Sequence, residues 1–388
     1  MIPYGRQTIS DADIEAVVEV LRSDYLTQGP AVPRFERAVA QYCRVSHAVA
    51  VNSATSALHI ACLALGVGPG DCVWTSPNTF VASANCARYC GASVDFVDID
   101  PDTYNLSAKI LREKLELAYQ QGRLPKVVIP VHFAGQPCEM QEIHRLSKQY
   151  GFSIIEDASH AIGARYQDTV TGDCTYSDIT VFSFHPVKII TTGEGGMATT
   201  QTSELCRKMQ LLRSHGITRE QNELVDQSQG DWYYEQQSLG FNYRMTDIQA
   251  ALGYSQLSHL DEWIERRHEI ADVYDRELVN LPIKLPTRNS LSRSALHLYP
   301  IQVQNRKRVF DTLRSKGIAV NVHYIPVHSQ PDYSALRQPS TSQVNAESYY
   351  ANTISLPMFA GLTVFQVETV VSTLKMSLAA SESTKQLR

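Results

Sequence analysis

Between about residue 45 and residue 200 the chain alternates between short apolar runs and segments of helical period. Ala48 to Val51 reads as a strand and Thr55 to Leu65 as a helix. Val73-Trp74-Thr75 precedes a helix from Val81 to Tyr89, and Val94 to Val97 one from Ala108 to Tyr119. Val127 to Val131 precedes a helix from Met140 to Tyr150, and Ile154-Ile155 and Val181-Phe182 continue the series. Continuous apolar runs suit strands covered on both faces, and an intervening helix supplies the crossover that parallel strands need. The pattern predicts an α/β architecture around a mainly parallel sheet. Ligands of such sheets bind beyond the carboxyl ends of the strands, where Asn52, Asp157 and Ser183 fall.

At 388 residues the chain is long enough for two cores. Helices are expected at Asp11 to Leu21 and Arg34 to Tyr42, joined by the turn-rich Tyr25-Leu26-Thr27-Gln28-Gly29-Pro30. A long helix is expected from Thr246, as N-cap, to Tyr274. The remainder, with an apolar run at Leu298 to Val303 and helices near Val309 to Lys316 and Val364 to Leu378, predicts a smaller α+β domain. Ile217 to Gln237 is polar and weakly patterned and reads as a mobile loop. A net charge of -5 gives no basic footprint for nucleic acid. No apolar run approaches the roughly 18 residues of a membrane span, and the first residues lack a signal-peptide pattern. The eight cysteines are scattered without Cys-x-x-Cys pairs, so the expectation is reduced thiols, no metal and a cytoplasmic protein.

Ser183-Phe184-His185-Pro186-Val187-Lys188-Ile189-Ile190-Thr191-Thr192-Gly193-Glu194-Gly195-Gly196 sets one lysine between an apolar strand and a glycine-rich turn. Lys188 is either a surface charge or an amine whose pKa desolvation lowers, freeing it as a nucleophile. Asp157 either ends a strand with a turn or holds the protonated ring nitrogen of a pyridine cofactor. Asn52 to His59 is either an ordinary helix cap or, through free N–H groups and hydroxyls, a phosphate site. It is no Walker loop and lacks Gly-x-Gly-x-x-Gly. Phe80 suits core packing or stacking on a cofactor ring, and His185 a turn cap or a place beside the cofactor. A lysine able to form a Schiff base, with an acid at a neighbouring strand end, is what pyridoxal phosphate (PLP) requires.

Four stretches in order resemble the DegT/DnrJ/EryC1/StrS family of PLP-dependent sugar aminotransferases: Asn52 to His59, Glu156 to Gly163, Ser183 to Gly196 and Gly240 to Gly253. The resemblance implies the type I, aspartate aminotransferase-like fold. A large PLP-binding domain with the N-terminal substrate-loop segment would span 1–255, and a small α+β domain 256–388. Lys188 matches the lysine that anchors the cofactor and shuttles the proton, and Asp157 the partner of the ring nitrogen. His160 matches the polar residue near the ring hydroxyl, where many relatives have glutamine. Thr55, Ser56 and Ser183 match phosphate contacts, and Phe80 a ring-stacking position. Asn242 matches a residue reaching the partner subunit's phosphate site, which implies a homodimer with shared active sites. PLP sugar dehydratases carry histidine where this chain has Lys188.

Ser23 to Pro30, Ser159-His160 and His323 to His328 are similar to the aminotransferases of pseudaminic acid synthesis. That likeness implies a UDP-linked 4-keto-6-deoxy-N-acetyl hexose as acceptor and L-glutamate as amino donor. Tyr4, Tyr25, Leu26, Thr27, Gln28, His185, His323, Tyr324, Ile325 and Pro326 would then line the sugar-nucleotide site. A perosamine-type or other keto-sugar aminotransferase shares much of this pattern, and a PLP-binding sensor without turnover is the non-enzyme alternative.

Overall fold

The computed structural model describes residues 1–336 and 343–385. It opens with strand β1 (Ile2–Pro3) and helices α1 (Asp11–Leu21) and α2 (Ala31–Cys43). The alternating region follows as β2 (His47–Val51), α3 (Ala54–Ala64), β3 (Cys72–Thr75), α4 (Ala82–Tyr89) and β4 (Ser93–Phe96). It continues with α5 (Ala108–Gln120), β5 (Val127–Ile129), α6 (Met140–Tyr150) and β6 (Ser153–Asp157). A small hairpin, β7 (Arg165–Tyr166) and β8 (Thr169–Val170), precedes β9 (Ile179–Ser183) and β10 (Gly196–Thr200). After α7 (Ser203–Arg213) come β11 (Ile217–Thr218), β12 (Glu235–Gln236), α8 (Asp247–Leu257) and α9 (Leu260–Leu278). The last part holds β13 (Ile283–Lys284), β14 (Ser292–Arg293), β15 (Tyr299–Val303), α10 (Arg306–Ser315), β16 (Ile318–Ala319), α11 (Val344–Asn352), β17 (Thr353–Leu356) and α12 (Val364–Lys385).

Seven strands form one sheet in the order β2-β10-β9-β6-β5-β3-β4. Every pairing from β9 through β4 is parallel, and β10 alone runs against its neighbours β9 and β2. Alternation along β2 sends Val49 and Val51 into one core and Ala48 and Ala50 into the other, so both faces of the sheet are covered. Helix α3 is buried on nearly every side because its residues are small or apolar all round. A separate core joins β15, β17, α10 and α12 to the second half of α9. The first half of α9, with Leu260, Trp263 and Ile264, packs in the core of α2 and the large sheet, so this helix spans both.

Two expectations require correction. The long helix predicted from Thr246 to Tyr274 is two helices, α8 and α9, parted at Ser258-His259. Thr246 is the N-cap, in a reciprocal box with Gln249. The break follows local competition: the Ser258 hydroxyl donates to the Ser255 carbonyl (2.7 Å), and the His259 ring stacks on Trp263 at 5.3 Å. The segment read as a loop, Ile217 to Gln237, is closed into an antiparallel ribbon by β11 and β12. Glu235 accepts from the backbone N–H groups of Val225 (2.8 Å) and Asp226 (2.9 Å), and Arg207 pairs with Glu223. Among the described residues no helix is long and apolar enough to cross a membrane, no group of side chains could hold a metal ion, and the eight cysteines are free thiols.

Candidate active site

Three strands end along one edge of the large sheet, and each delivers a polar residue there. β2 ends at Val51, and Asn52-Ser53 turns the chain into α3; β6 ends on Asp157 and β9 on Ser183. β10 starts between them, with Gly196 opposite both Val51 and Ser183. A Cβ on Gly196 would lie 2.5 Å from the Ser53 carbonyl carbon and 2.6 Å from the Ala54 nitrogen, so only glycine lets β10 pass under the start of α3. These ends, with Tyr4, Thr79, Phe80, His297 and Asn321 to Tyr324, enclose a cavity of about 880 Å³.

Lys188 reaches this cavity from the turn after β9. The residue keeps some surface, but its amine is desolvated: burial pushes its pKa down to about 8, and the Asp157 charge offsets part of that fall. Asp157 is only 4% exposed. Its carboxylate accepts from the Ser83 hydroxyl (2.6 Å) and the Ser159 N–H (3.1 Å), which fixes its plane. Three buried imidazoles stand in the wall. Burial, reinforced by the Lys188 charge, holds His160 and His297 well below the usual histidine range and brings His323 to about 3. Burial also keeps the Tyr324 phenol protonated, and its hydroxyl meets His160 Nε2 at 3.1 Å.

At the start of α3, Ser53 caps the Ser56 N–H (3.1 Å), and Ser56 Oγ donates to Asn52 Oδ1 (2.7 Å). Helix geometry leaves the Ala54 and Thr55 N–H groups without an intrahelical acceptor, beside the Thr55 hydroxyl and Ser183. An anion is favoured at such an end.

The structure brings together Lys188, Asp157, Thr55, Ser56, Phe80, His160, Ser183, His185, Tyr4, His323 and Tyr324. Phe80 is not core: it is 60% exposed and tilted against Tyr324 at 6.3 Å. Other expected residues lie outside the cavity of their own chain. Tyr25, Leu26, Thr27 and Gln28 are drawn away to α8, where the Asp247 N–H donates to the Leu26 carbonyl (3.0 Å) and Thr27 bridges Thr246. Ile325 points to solvent, and Pro326 is buried beside Val327, whose N–H donates to the Pro77 carbonyl (2.9 Å). Asn242 is exposed on the chain surface, its carbonyl 3.5 Å from Asn52 Nδ2. Sequence reasoning missed Ser83, His297, Glu194 and Gln249. Ser83 had a signal, a small hydroxyl on the inner face of a helix, whereas His297 stood as one histidine before an apolar run.

The DegT/DnrJ/EryC1/StrS aminotransferase family model matches residues 7–375. The chain belongs to that family. A Campylobacter jejuni UDP-4-amino-4,6-dideoxy-N-acetyl-β-L-altrosamine transaminase is 38% identical over 387 residues, covering 96% of each chain. A Caulobacter vibrioides GDP-perosamine synthase is 36% identical over 371 residues, covering 93% of this chain and 94% of its own. Helicobacter pylori PseC, an aminotransferase involved in the biosynthesis of pseudoaminic acid, superposes with a TM-score of 0.90 at 32% identity over 98% of this chain and 99% of its own. Members of the DegT/DnrJ/EryC1/StrS family are PLP-dependent, and this chain is a PLP-dependent sugar aminotransferase. The residues present fit the cofactor: the desolvated Lys188 amine, the fixed Asp157 carboxylate and an anion-ready helix end line one cavity. When bound, PLP supplies an electrophilic carbon for amines and an electron sink for the carbanion formed beside it.

Proposed function

We propose that this chain moves an amino group from L-glutamate to C4 of a UDP-linked 4-keto-6-deoxy-N-acetyl hexose, giving the 4-amino sugar used for pseudaminic acid. The observation that carries the reading is the buried Lys188 amine, near pKa 8, sharing a cavity with the fixed carboxylate of Asp157. At neutral pH such an amine is present in both protonation states in useful amounts, as a group that takes a proton from one carbon and returns it to another must be. In this reading Lys188 anchors the cofactor and carries that proton, Asp157 keeps the ring nitrogen protonated, and Thr55, Ser56 and Ser183 hold the phosphate. Phe80 stacks on the ring and His160 meets its hydroxyl, while Tyr4, His185, His323 and Tyr324 face the sugar.

The choice of sugar is supported by the Campylobacter relative and the PseC structure. The comparable identity of the GDP-perosamine synthase supports a second reading, a GDP-linked 4-keto-6-deoxy sugar as acceptor. Mass-spectrometric assay of UDP- and GDP-linked 4-keto sugars with L-glutamate separates them. Amination of the UDP-linked N-acetyl sugar alone is expected, and preference for the GDP sugar overturns the first reading. A sensor without turnover would bind PLP yet form no 2-oxoglutarate from glutamate.

The reading includes a cytoplasmic homodimer in which Asn242 of one protomer reaches the phosphate end of its partner's site. It also includes the Tyr25 to Gln28 loop lining that partner site, and the division of the chain into 1–255 and 256–388.

A further inference from the structure

We propose that His297 is a positioning residue whose ring, packed at a tilt against His160, fixes the plane in which His160 meets the cofactor and thereby the tautomer that its contact with Tyr324 selects. The His297 ring lies 4.3 Å from that of His160, centroid to centroid, and makes no hydrogen bond to it. The residue is 4% exposed, and its Nδ1 is buried without a partner. Its backbone is clamped from two sides. Arg267 Nη1 donates to the carbonyls of Leu296 (3.1 Å), His297 (3.5 Å) and Met358 (2.9 Å). On the other side the Ala295 N–H donates to the Gly135 carbonyl (2.9 Å) and the Leu298 N–H to that of Ala134 (3.3 Å). Gly135, at φ +97°, permits this approach: a Cβ there would stand 2.8 Å from Leu296 N, 2.9 Å from the His160 carbonyl oxygen and 3.0 Å from His297 N. The same glycine thus seats the backbones of both histidines, and the ring contact follows from it.

The other edge of His160 is set by Tyr324, whose hydroxyl is 3.1 Å from Nε2. A neutral phenol either donates to Nε2 or accepts from it, and a His160 ring held in one plane beside that hydroxyl keeps one of the two tautomers. With the His297 face removed, His160 is free to turn about Cβ–Cγ and both tautomers become available.

The inference rests on the PLP site described above, and the test separates the two. Full-length protein labelled with ¹⁵N-histidine is examined by NMR with PLP bound and after its removal, and PLP affinity is measured by equilibrium dialysis. In the parent protein His160 is expected as a single tautomer in both states. His297→Ala should mix the tautomers and weaken PLP binding by about tenfold or more. His297→Phe, which keeps a ring on that face, should retain the single tautomer and an affinity within about threefold of the parent. Unchanged signals in His297→Ala, or equal damage in both variants, overturn the proposal. Tyr324→Phe keeps the question open to decision if a His297 variant fails to fold: it must mix the tautomers with the His297 ring in place, and an unchanged His160 signal there also overturns the proposal. A parent protein that binds no PLP overturns the cofactor site instead, whatever the tautomer.

Discussion

An amine titrating near pH 8 differs from a surface lysine near 10.4 by more than two decades in its fraction of free base at neutral pH. For Lys188 that difference comes from burial, and the sign of each contribution is testable. In cofactor-free protein the rate of Lys188 modification by an amine reagent should reach half its maximum near pH 8, and a midpoint near 10 would contradict the site. Asp157→Asn keeps the shape that receives the Ser83 hydroxyl but deletes the charge that raises the amine's pKa, so the midpoint should move below that of the parent. Turnover with glutamate should fall by about a hundredfold or more, since a neutral amide does not favour a charged ring. The linkage to stability has a definite sign. Because the folded pKa is depressed, the unfolded chain binds more protons between about pH 8 and the ordinary lysine value of 10.5, so stability rises with pH across that window. Lys188→Met should flatten that rise in urea titrations followed by circular dichroism.

At the scale of the element, the site depends on close backbone approach and on caps between helices. Gly196→Ala must push β10 away from the start of α3, for its Cβ would overlap both Ser53 and Ala54. A loss of about 1–3 kcal/mol in urea unfolding is expected, together with weaker PLP binding, because the displaced turn carries the proposed phosphate contacts. Asp247 shows the second device. Its buried carboxylate, on the first turn of α8, accepts from the N–H groups of Gly29 (2.8 Å), Ala31 (2.7 Å) and Val32 (3.3 Å) and so caps α2 from another helix. Asp247→Ala should cost about 1–2 kcal/mol and loosen the Tyr25 to Gln28 loop, which protease cleavage near Tyr25 would report. These elements also show what a sequence conveys. The sheet strands and their helices were legible because apolar runs and helical period alternate without interruption, and Thr246 because a capping pair is local. The break at Ser258-His259 was not, since both flanks are helical in period and the competition is between one hydroxyl and one carbonyl. The β11–β12 ribbon was hidden because its pairing spans two residues a side and leans on Glu235 and Glu223. Lys188 and Asp157 were legible by their place at strand ends. His297 and Ser83 matter only through residues more than 70 positions away, which no local pattern displays.

Over the whole molecule, α9 ties the large-sheet core to the core of α12, and β1 crosses back to pair with β16, so Tyr4 enters the cavity from the far end of the chain. The same architecture leaves Asn242 and the Tyr25 to Gln28 loop outside their own cavity. If both serve a partner's site, as proposed, the catalytic unit is a dimer, and complementation tests it directly. Lys188→Ala removes the amine from one site while leaving Asn242 available to the other, and Asn242→Ala does the reverse. Each variant alone should be defective, the second at limiting PLP. Mixed, dissociated and reassembled in equal amounts, half of the dimers are hybrids, each with one site built from intact Lys188 and intact Asn242. Activity should therefore return to about a quarter of the parent value. Recovery no greater than the average of the separate variants would mean that each chain serves its own site. Asn242 and the Tyr25 to Gln28 loop would then need a different reading.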